Sequence, residues 1–216
     1  MTAKPGARFT QLDSLRAFAV FAVIVSHTGP RALDPYALGM RGVQLFFVLS
    51  GFLITGILLT ARHATTSRPR TLRAFYCRRF LRIFPAYYAV LLITLLIGIP
   101  EVREGLAWHL TYLSNVRAAR LGIWEGPVSH LWSLSVEEQF YLCWPLLVLS
   151  VPWGALPVVL AGAVLVGPLT RYFLFQSTGN VVTTLVPMPS NLDPLALGAG
   201  LALVWDRGGL ALRRYG

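Results

Sequence analysis

Residues 42–61 read GVQLFFVLSGFLITGILLTA, twenty consecutive positions without a charged side chain. As an α-helix rising 1.5 Å per residue, such a run is about 30 Å long, the thickness of a bilayer's hydrocarbon core. Further apolar runs lie at 12–28, 84–100, 136–153, 154–170 and 186–205. A soluble domain of this length has no core large enough to hide six such runs. The expected architecture is therefore all-α: a polytopic membrane bundle of about six transmembrane helices, built as a single membrane-embedded domain over residues 1–216. The fourth and fifth runs are separated only by Pro152-Trp153-Gly154, room for a tight turn and little else.

Composition agrees. The chain is 55% hydrophobic and 13% charged, with a mean hydropathy of +0.60, whereas soluble domains carry about 25% charged residues. The net charge is +10, and every basic residue except Lys4 is Arg. These bases sit mainly between the apolar runs, which favours lipid headgroups as their partner and argues against nucleic acid. The two cysteines, Cys77 in a basic segment and Cys143 within an apolar run, do not suggest a disulfide framework. No Cys or His spacing resembles a metal site, so no metal is expected.

Orientation follows from the distribution of Lys and Arg. With the N-terminus inside, the cytoplasmic segments hold Lys4, Arg8, Arg62, Arg68, Arg70, Arg73, Arg78, Arg79, Arg82, Arg207, Arg213 and Arg214. The opposite segments hold Arg31, Arg41, Arg103, Arg117, Arg120 and Arg171. The excess predicts both termini on the cytoplasmic side of the inner membrane. Between the second and third runs, Leu72, Phe75, Tyr76, Phe80 and Ile83 recur at helical spacing. They predict a short amphipathic helix over 71–84, lying on the inner leaflet and followed by a span that Pro85 opens. Arg78 and Arg82 fall on its polar face, and Arg79 points toward the apolar one. Trp108, Tyr112, Trp124 and Trp132 are expected at the outer interface.

Ionisable groups within apolar helices are costly and call for a reason. Arg16 and His27 are eleven residues apart, three turns plus about 20°, so they share a helix face about 16 Å apart. This would put Arg16 near the inner boundary and His27 near the outer one. A His of near-neutral pKa suits a general base; equally, Arg16 can snorkel to headgroups while His27 simply ends the helix. Ser133, Glu137 and Tyr141 fall at four-residue steps, as either a helix entry or the polar lining of a cavity. Ser135 with Glu138 reads as a capping box, which puts Glu137 in the first turn. Ser50-Gly51 marks close helix packing. The arginines 78, 79 and 82 are either inside charge or a phosphate-binding cluster.

In this order the stretches LDSLRAFA (12–19) through His27, FFVLSGF (46–52), RRFLRIFP (78–85) and LWSLSVEEQFY (131–141) resemble the acyltransferase-3 family of integral-membrane O-acyltransferases. The resemblance runs from about residue 10 to 204. It implies transfer of an acyl group, typically acetyl, from acyl-CoA as co-substrate, with no tightly bound cofactor. The implied acceptor is a hydroxyl of a carbohydrate or related envelope or secreted molecule.

On this reading His27 is the catalytic base, Arg16 its companion, and Glu137 a polar partner. Arg78, Arg79 and Arg82 hold the donor's phosphates, while Ser133, Tyr141 and Ser50 contact substrate. Members of the family run longer, with about ten spans, so the chain is expected to be the N-terminal portion of a longer domain. In Asn191-Leu-Asp-Pro-Leu-Ala-Leu-Gly198, Asn191 stands where the family motif leads one to expect Arg. The alternative of another class is a transporter or flippase-like protein whose polar residues line a path, or an inactive remnant.

Overall fold

The computed structural model describes the backbone of residues 10–28, 38–64 and 67–214, and side chains over 12–26, 38–64 and 67–208. All regular structure in these residues is helical. Six long helices, α1 (Thr10–Thr28), α2 (Leu38–His63), α3 (Arg68–Ile97), α7 (Leu131–Ser150), α8 (Leu156–Thr178) and α10 (Leu192–Arg214), occupy the predicted runs. Four short ones lie between them: α4 (Pro100–Glu104), α5 (Leu106–Leu110), α6 (Ser114–Leu121) and α9 (Val181–Leu185).

Among the described residues, three helices (α2, α3 and α8) are long and apolar enough to cross a membrane. The other three carry polar groups inside their runs: Asp13 and Arg16 in α1, Glu137-Glu138-Gln139 in α7, Asp193 and Asp206 in α10. By hydropathy and length, three of the six expected spans thus qualify as crossings. The difference comes from side chains that the bundle puts to use.

The second correction concerns residues 71–84. They form no separate surface helix: α3 is one unbroken helix of 30 residues, with Pro85 inside it. Pro85 removes one ladder hydrogen bond without ending the helix, which apolar surroundings tolerate. Cys77 accordingly sits on α3, exposed and free, as does Cys143 on α7. The helix stops at Gly98, whose φ of 84° is left-handed, so that its amide and that of Ile99 reach back to Leu95 and Thr94.

The core lies where α2 crosses α10. A Cβ on Gly51 would strike the backbone carbonyl of Leu195, and one on Gly198 would strike that of Val48. Two glycines facing each other's helix let the backbones meet, as anticipated for Ser50-Gly51. Phe47, Ile54, Leu58, Val136, Phe140, Trp144, Leu195 and Ala199 fill the space around this crossing. At one end of α2, Arg62 donates to the Val148 carbonyl at 2.7 Å and lies over Trp153. It thereby satisfies a carbonyl in the last turn of α7 that the helix itself leaves unpaired. The turn at 151–155 follows directly, as its composition predicts.

The segment between α3 and α7 folds as a small cap. Tyr112 and Trp132, expected as interface rings, are buried instead. Tyr112 stacks on Tyr87 with centroids 4.2 Å apart, and Trp132 meets Phe47 edge-on. Within the cap His109 is fully buried, its Nδ1 2.8 Å from Ser114 Oγ. Arg117 bonds Glu125 at 2.5 Å. Conversely, rows of large side chains on α3 (Leu92, Ile93, Leu96, Ile97) and α8 (Val158, Leu165, Leu169, Phe173) are exposed, the surface a bilayer covers.

Candidate active site

The helix α7 begins at Leu131, four residues before Ser135. Ser135 therefore caps nothing: its hydroxyl turns back to the Leu131 carbonyl at 3.0 Å. The expected capping box is absent, and Glu137 lies in the second turn, not the first. With no helix end to serve, the two carboxylates need other partners.

Glu137 is 5% exposed. Ser50, halfway along α2, donates its hydroxyl to Glu137 Oε1 in a short hydrogen bond. Tyr141, one turn further along α7, donates to Ser50 Oγ at 2.9 Å. Tyr141 → Ser50 → Glu137 is thus a continuous chain of donors ending on a carboxylate, and each link is buried. Arg79 reaches in from α3 and sets its guanidinium 3.4 Å from the centroid of the Tyr141 ring. Arg79 and, from α1, Arg16 both act electrostatically on Glu137. A buried carboxylate persists only with such compensation.

Glu138 completes the group, and the capping-box reading had hidden it. It is half-buried, electrostatically linked to Arg79 and Glu137, and one of its oxygens is buried without a partner. The Nε atoms of Arg16 and Arg79 are likewise buried and unpartnered. Arg16 does pair with Asp13 on its own helix, at 3.8 Å. Two arginines and two glutamates on three helices therefore gather around Glu137, and three of their polar atoms are buried with no hydrogen-bond partner among the described residues.

The predicted residues divide as follows. Arg16, Ser50, Arg79, Glu137 and Tyr141 come together. Arg16 acts electrostatically on Glu137. The hydroxyls of Ser50 and Tyr141 are engaged with each other and with Glu137. Ser133 donates to the His130 carbonyl at 3.0 Å and lines a neighbouring cavity. Arg78 and Arg82 are exposed on the opposite side of α3, whereas Arg79 turns inward. The expected cluster of three arginines is therefore split by helix geometry. The side chain of His27 lies outside the described residues; its backbone belongs to α1, one turn beyond Val23.

The cavity beside this group has a volume of about 200 Å³. Its walls are Ala19, Val20, Val23 and Ile24 of α1, Gly42, Val43, Phe46 and Phe47 of α2, and Leu134 of α7. Among the described residues, Ser133 and Glu137 supply its polar side chains.

Asn191 is settled by its own contacts. It is buried in a 3₁₀ turn, Pro189–Asn191, and its amide donates to the carbonyls of Leu185 and Pro187 at 2.7 and 2.9 Å. Beside it, Arg171 of α8 grips Asp193 of α10 through two bonds of 2.8 and 2.9 Å.

Residues 9–215 match the family described as an acyltransferase domain, acyltransferase 3. The peptidoglycan O-acetyltransferase OatA of Listeria monocytogenes is 35% identical over 165 residues, covering 69% of this chain and 26% of that protein. "Putative peptidoglycan O-acetyltransferase YrhL" of Bacillus subtilis is 32% identical over 222 residues, covering 94% of this chain and 34% of that protein. The chain thus spans about a third or less of the length of these relatives. No solved structure matches it. The order of motifs, the all-helical architecture and the match along almost the whole chain agree, and the chain belongs to the acyltransferase-3 family of membrane O-acyltransferases.

Proposed function

We propose that the protein transfers an acyl group from acyl-CoA to a carbohydrate hydroxyl of the cell envelope. The observation that carries this reading is the buried Glu137, which feels the charges of Arg16 and Arg79 in an otherwise apolar bundle and lines an apolar cavity. Such a group has no structural purpose that a hydrocarbon core would not serve at lower cost. Both relatives carry peptidoglycan O-acetyltransferase in their names, which makes a peptidoglycan hydroxyl the first acceptor to test.

In the reaction His27 removes the proton of the acceptor hydroxyl as its oxygen attacks the thioester carbonyl. The C–O bond forms, the C–S bond breaks, and coenzyme A leaves as the thiolate, which takes up a proton. Arg79 and Arg16 lie on the side where negative charge develops and stabilise it. Glu137, braced by Ser50 and Tyr141, holds the two guanidiniums in place. Arg78 and Arg82 on the outer face of α3 serve the phosphates of the donor. Six crossings with both termini cytoplasmic bring the donor from within and the acceptor from outside. The family match disfavours a transporter.

The test is transfer of label from acetyl-CoA in membranes containing the protein, beside His27→Ala and Glu137→Gln at equal abundance. Labelled peptidoglycan with the parent and a loss of about a hundredfold or more in both variants is the expected result. Equal labelling in all three removes both residues from the chemistry. Labelling of a small molecule and not of the envelope overturns the acceptor.

A further inference from the structure

The cavity at Glu137 is far from featureless. One wall is a stripe of α7 bearing Ser133 and Glu137; the facing walls, from α1 and α2, are hydrocarbon among the described residues. A ligand that fits it has one polar end, turned to α7, and an apolar remainder. An apolar protein cavity of about 150 Å³ accepts benzene, a ligand of six carbons. This one, at about 200 Å³, is larger than a two-carbon acetyl group needs. It is also too small for a whole phospholipid tail.

We infer that this cavity is the acyl-chain pocket, and that it admits acyl groups up to about six carbons, wider than the acetyl specificity in the relatives' names. The inference rests on the acyltransferase reading. The carbonyl of the acyl group lies at the Glu137 end, near the arginines, and the methyl end points between Val20, Val43 and Phe46. Val43 and Val20 set the depth. Val20 on α1 is 46% exposed, so a larger ring fits there without crowding the core, whereas Val43 on α2 is mostly buried and packs against the core, so a ring there fills the cavity itself. Gly42 is unsuitable for such a test. A Cβ there would press on the Ala19 carbonyl and drive α1 from α2.

The experiment compares acetyl-, butyryl- and hexanoyl-CoA as donors with the protein in its membranes, and with Val43→Phe and Val20→Phe. The parent is expected to use all three donors with rates within about tenfold of one another. Each added methylene is worth about 10-fold or more when a pocket rejects it. Either phenylalanine should therefore lower the ratio of hexanoyl to acetyl transfer by at least about tenfold. A parent confined to acetyl overturns the inference. So does a donor preference unchanged by both variants, the result expected if a lipid tail occupies the cavity instead. Absence of transfer from every donor, acetyl included, overturns the underlying acyltransferase reading, and the inference falls with it.

Discussion

The Arg79 guanidinium lies over the Tyr141 ring, 3.4 Å from its centroid, and so brings α3 into contact with the heart of α7. In other respects α3 is loosely held, for most of its spanning half faces outward. The pair joins a cation to the donor chain Tyr141 → Ser50 → Glu137, so that geometry set on α3 is felt by a carboxylate on α7. Cation–π contacts are worth about 0.5–2 kcal/mol, more when desolvated.

Tyr141→Phe keeps the ring and removes the hydroxyl. It should cost about 1 kcal/mol of stability, the ordinary value of one hydrogen bond. Arg79→Lys keeps the charge and loses the planar stack; Arg79→Met loses both and leaves Glu137 short of a cation, a change worth about 3–5 kcal/mol. Thermal unfolding in detergent should rank the variants in that order. A double-mutant cycle between Arg79 and Tyr141 should give a coupling above about 0.5 kcal/mol. Additive effects would mean the contact carries no energy.

Gly198→Val puts a branched side chain against the Val48 carbonyl. Overpacking typically costs about 1–3 kcal/mol, and here a backbone atom, not a pliable side chain, stands in the way. The expected result is loss of folded protein from the membrane fraction. Gly200→Ala, on the same helix with open space around it, should accumulate normally.

Asp193→Asn removes the charge from the fork held by Arg171, and a hydrogen bond to a charged group is worth about 1.5–3 kcal/mol. Arg171 also donates to the Ser190 carbonyl, so it ties α8 to the 3₁₀ turn that leads into α10. Arg171→Lys should therefore lower the melting temperature, though less than Arg171→Met, because an ammonium keeps the charge but lacks the planar fork that grips both Asp193 oxygens.

His109 gives the cap a pH dependence. Burial, opposed by the nearby Glu125 carboxylate and the Glu101 backbone and assisted by Arg117, lowers its pKa from the ordinary 6.5. Between the two values the unfolded cap binds a proton that the folded cap refuses, so stability rises with pH there. The contribution is complete above about 6.5 and is lost as pH falls below it. Protease protection of residues 101–130 should weaken between pH 7.5 and pH 5, and His109→Gln should flatten that slope. An unchanged slope in the variant would assign it to another group.

Much of this was legible in the chain because a bilayer imposes simple rules. An uncharged stretch such as 42–61 has to be a helix in lipid, since each backbone group must find its partner within the segment. Helical periodicity likewise marked Arg79 as the one arginine of its run on the apolar side, and the structure turns it to Tyr141. Local signals misled where tertiary partners outweighed them. Ser135 and Glu138 have the spacing of a cap, yet α7 starts a turn earlier, and Glu138 joins the charged group. Leu72 to Ile83 have the pattern of a surface helix, yet the apolar face packs on α7, where the Tyr76 hydroxyl reaches the Leu142 carbonyl at 2.7 Å.

By itself the sequence determined which segments are helical, that most of them belong in or against lipid, and which family's motifs they carry in which order. These follow from properties local to each run: hydropathy, periodicity and the identity of a few residues. The tertiary structure alone decided that Ser50 of α2, Arg79 of α3 and Glu137 and Tyr141 of α7 come together, and that an apolar cavity opens beside them. Those outcomes depend on which helix faces meet and how closely. That in turn depends on contacts such as Gly51 against Leu195, between residues far apart in the chain, whose pairing no local periodicity encodes.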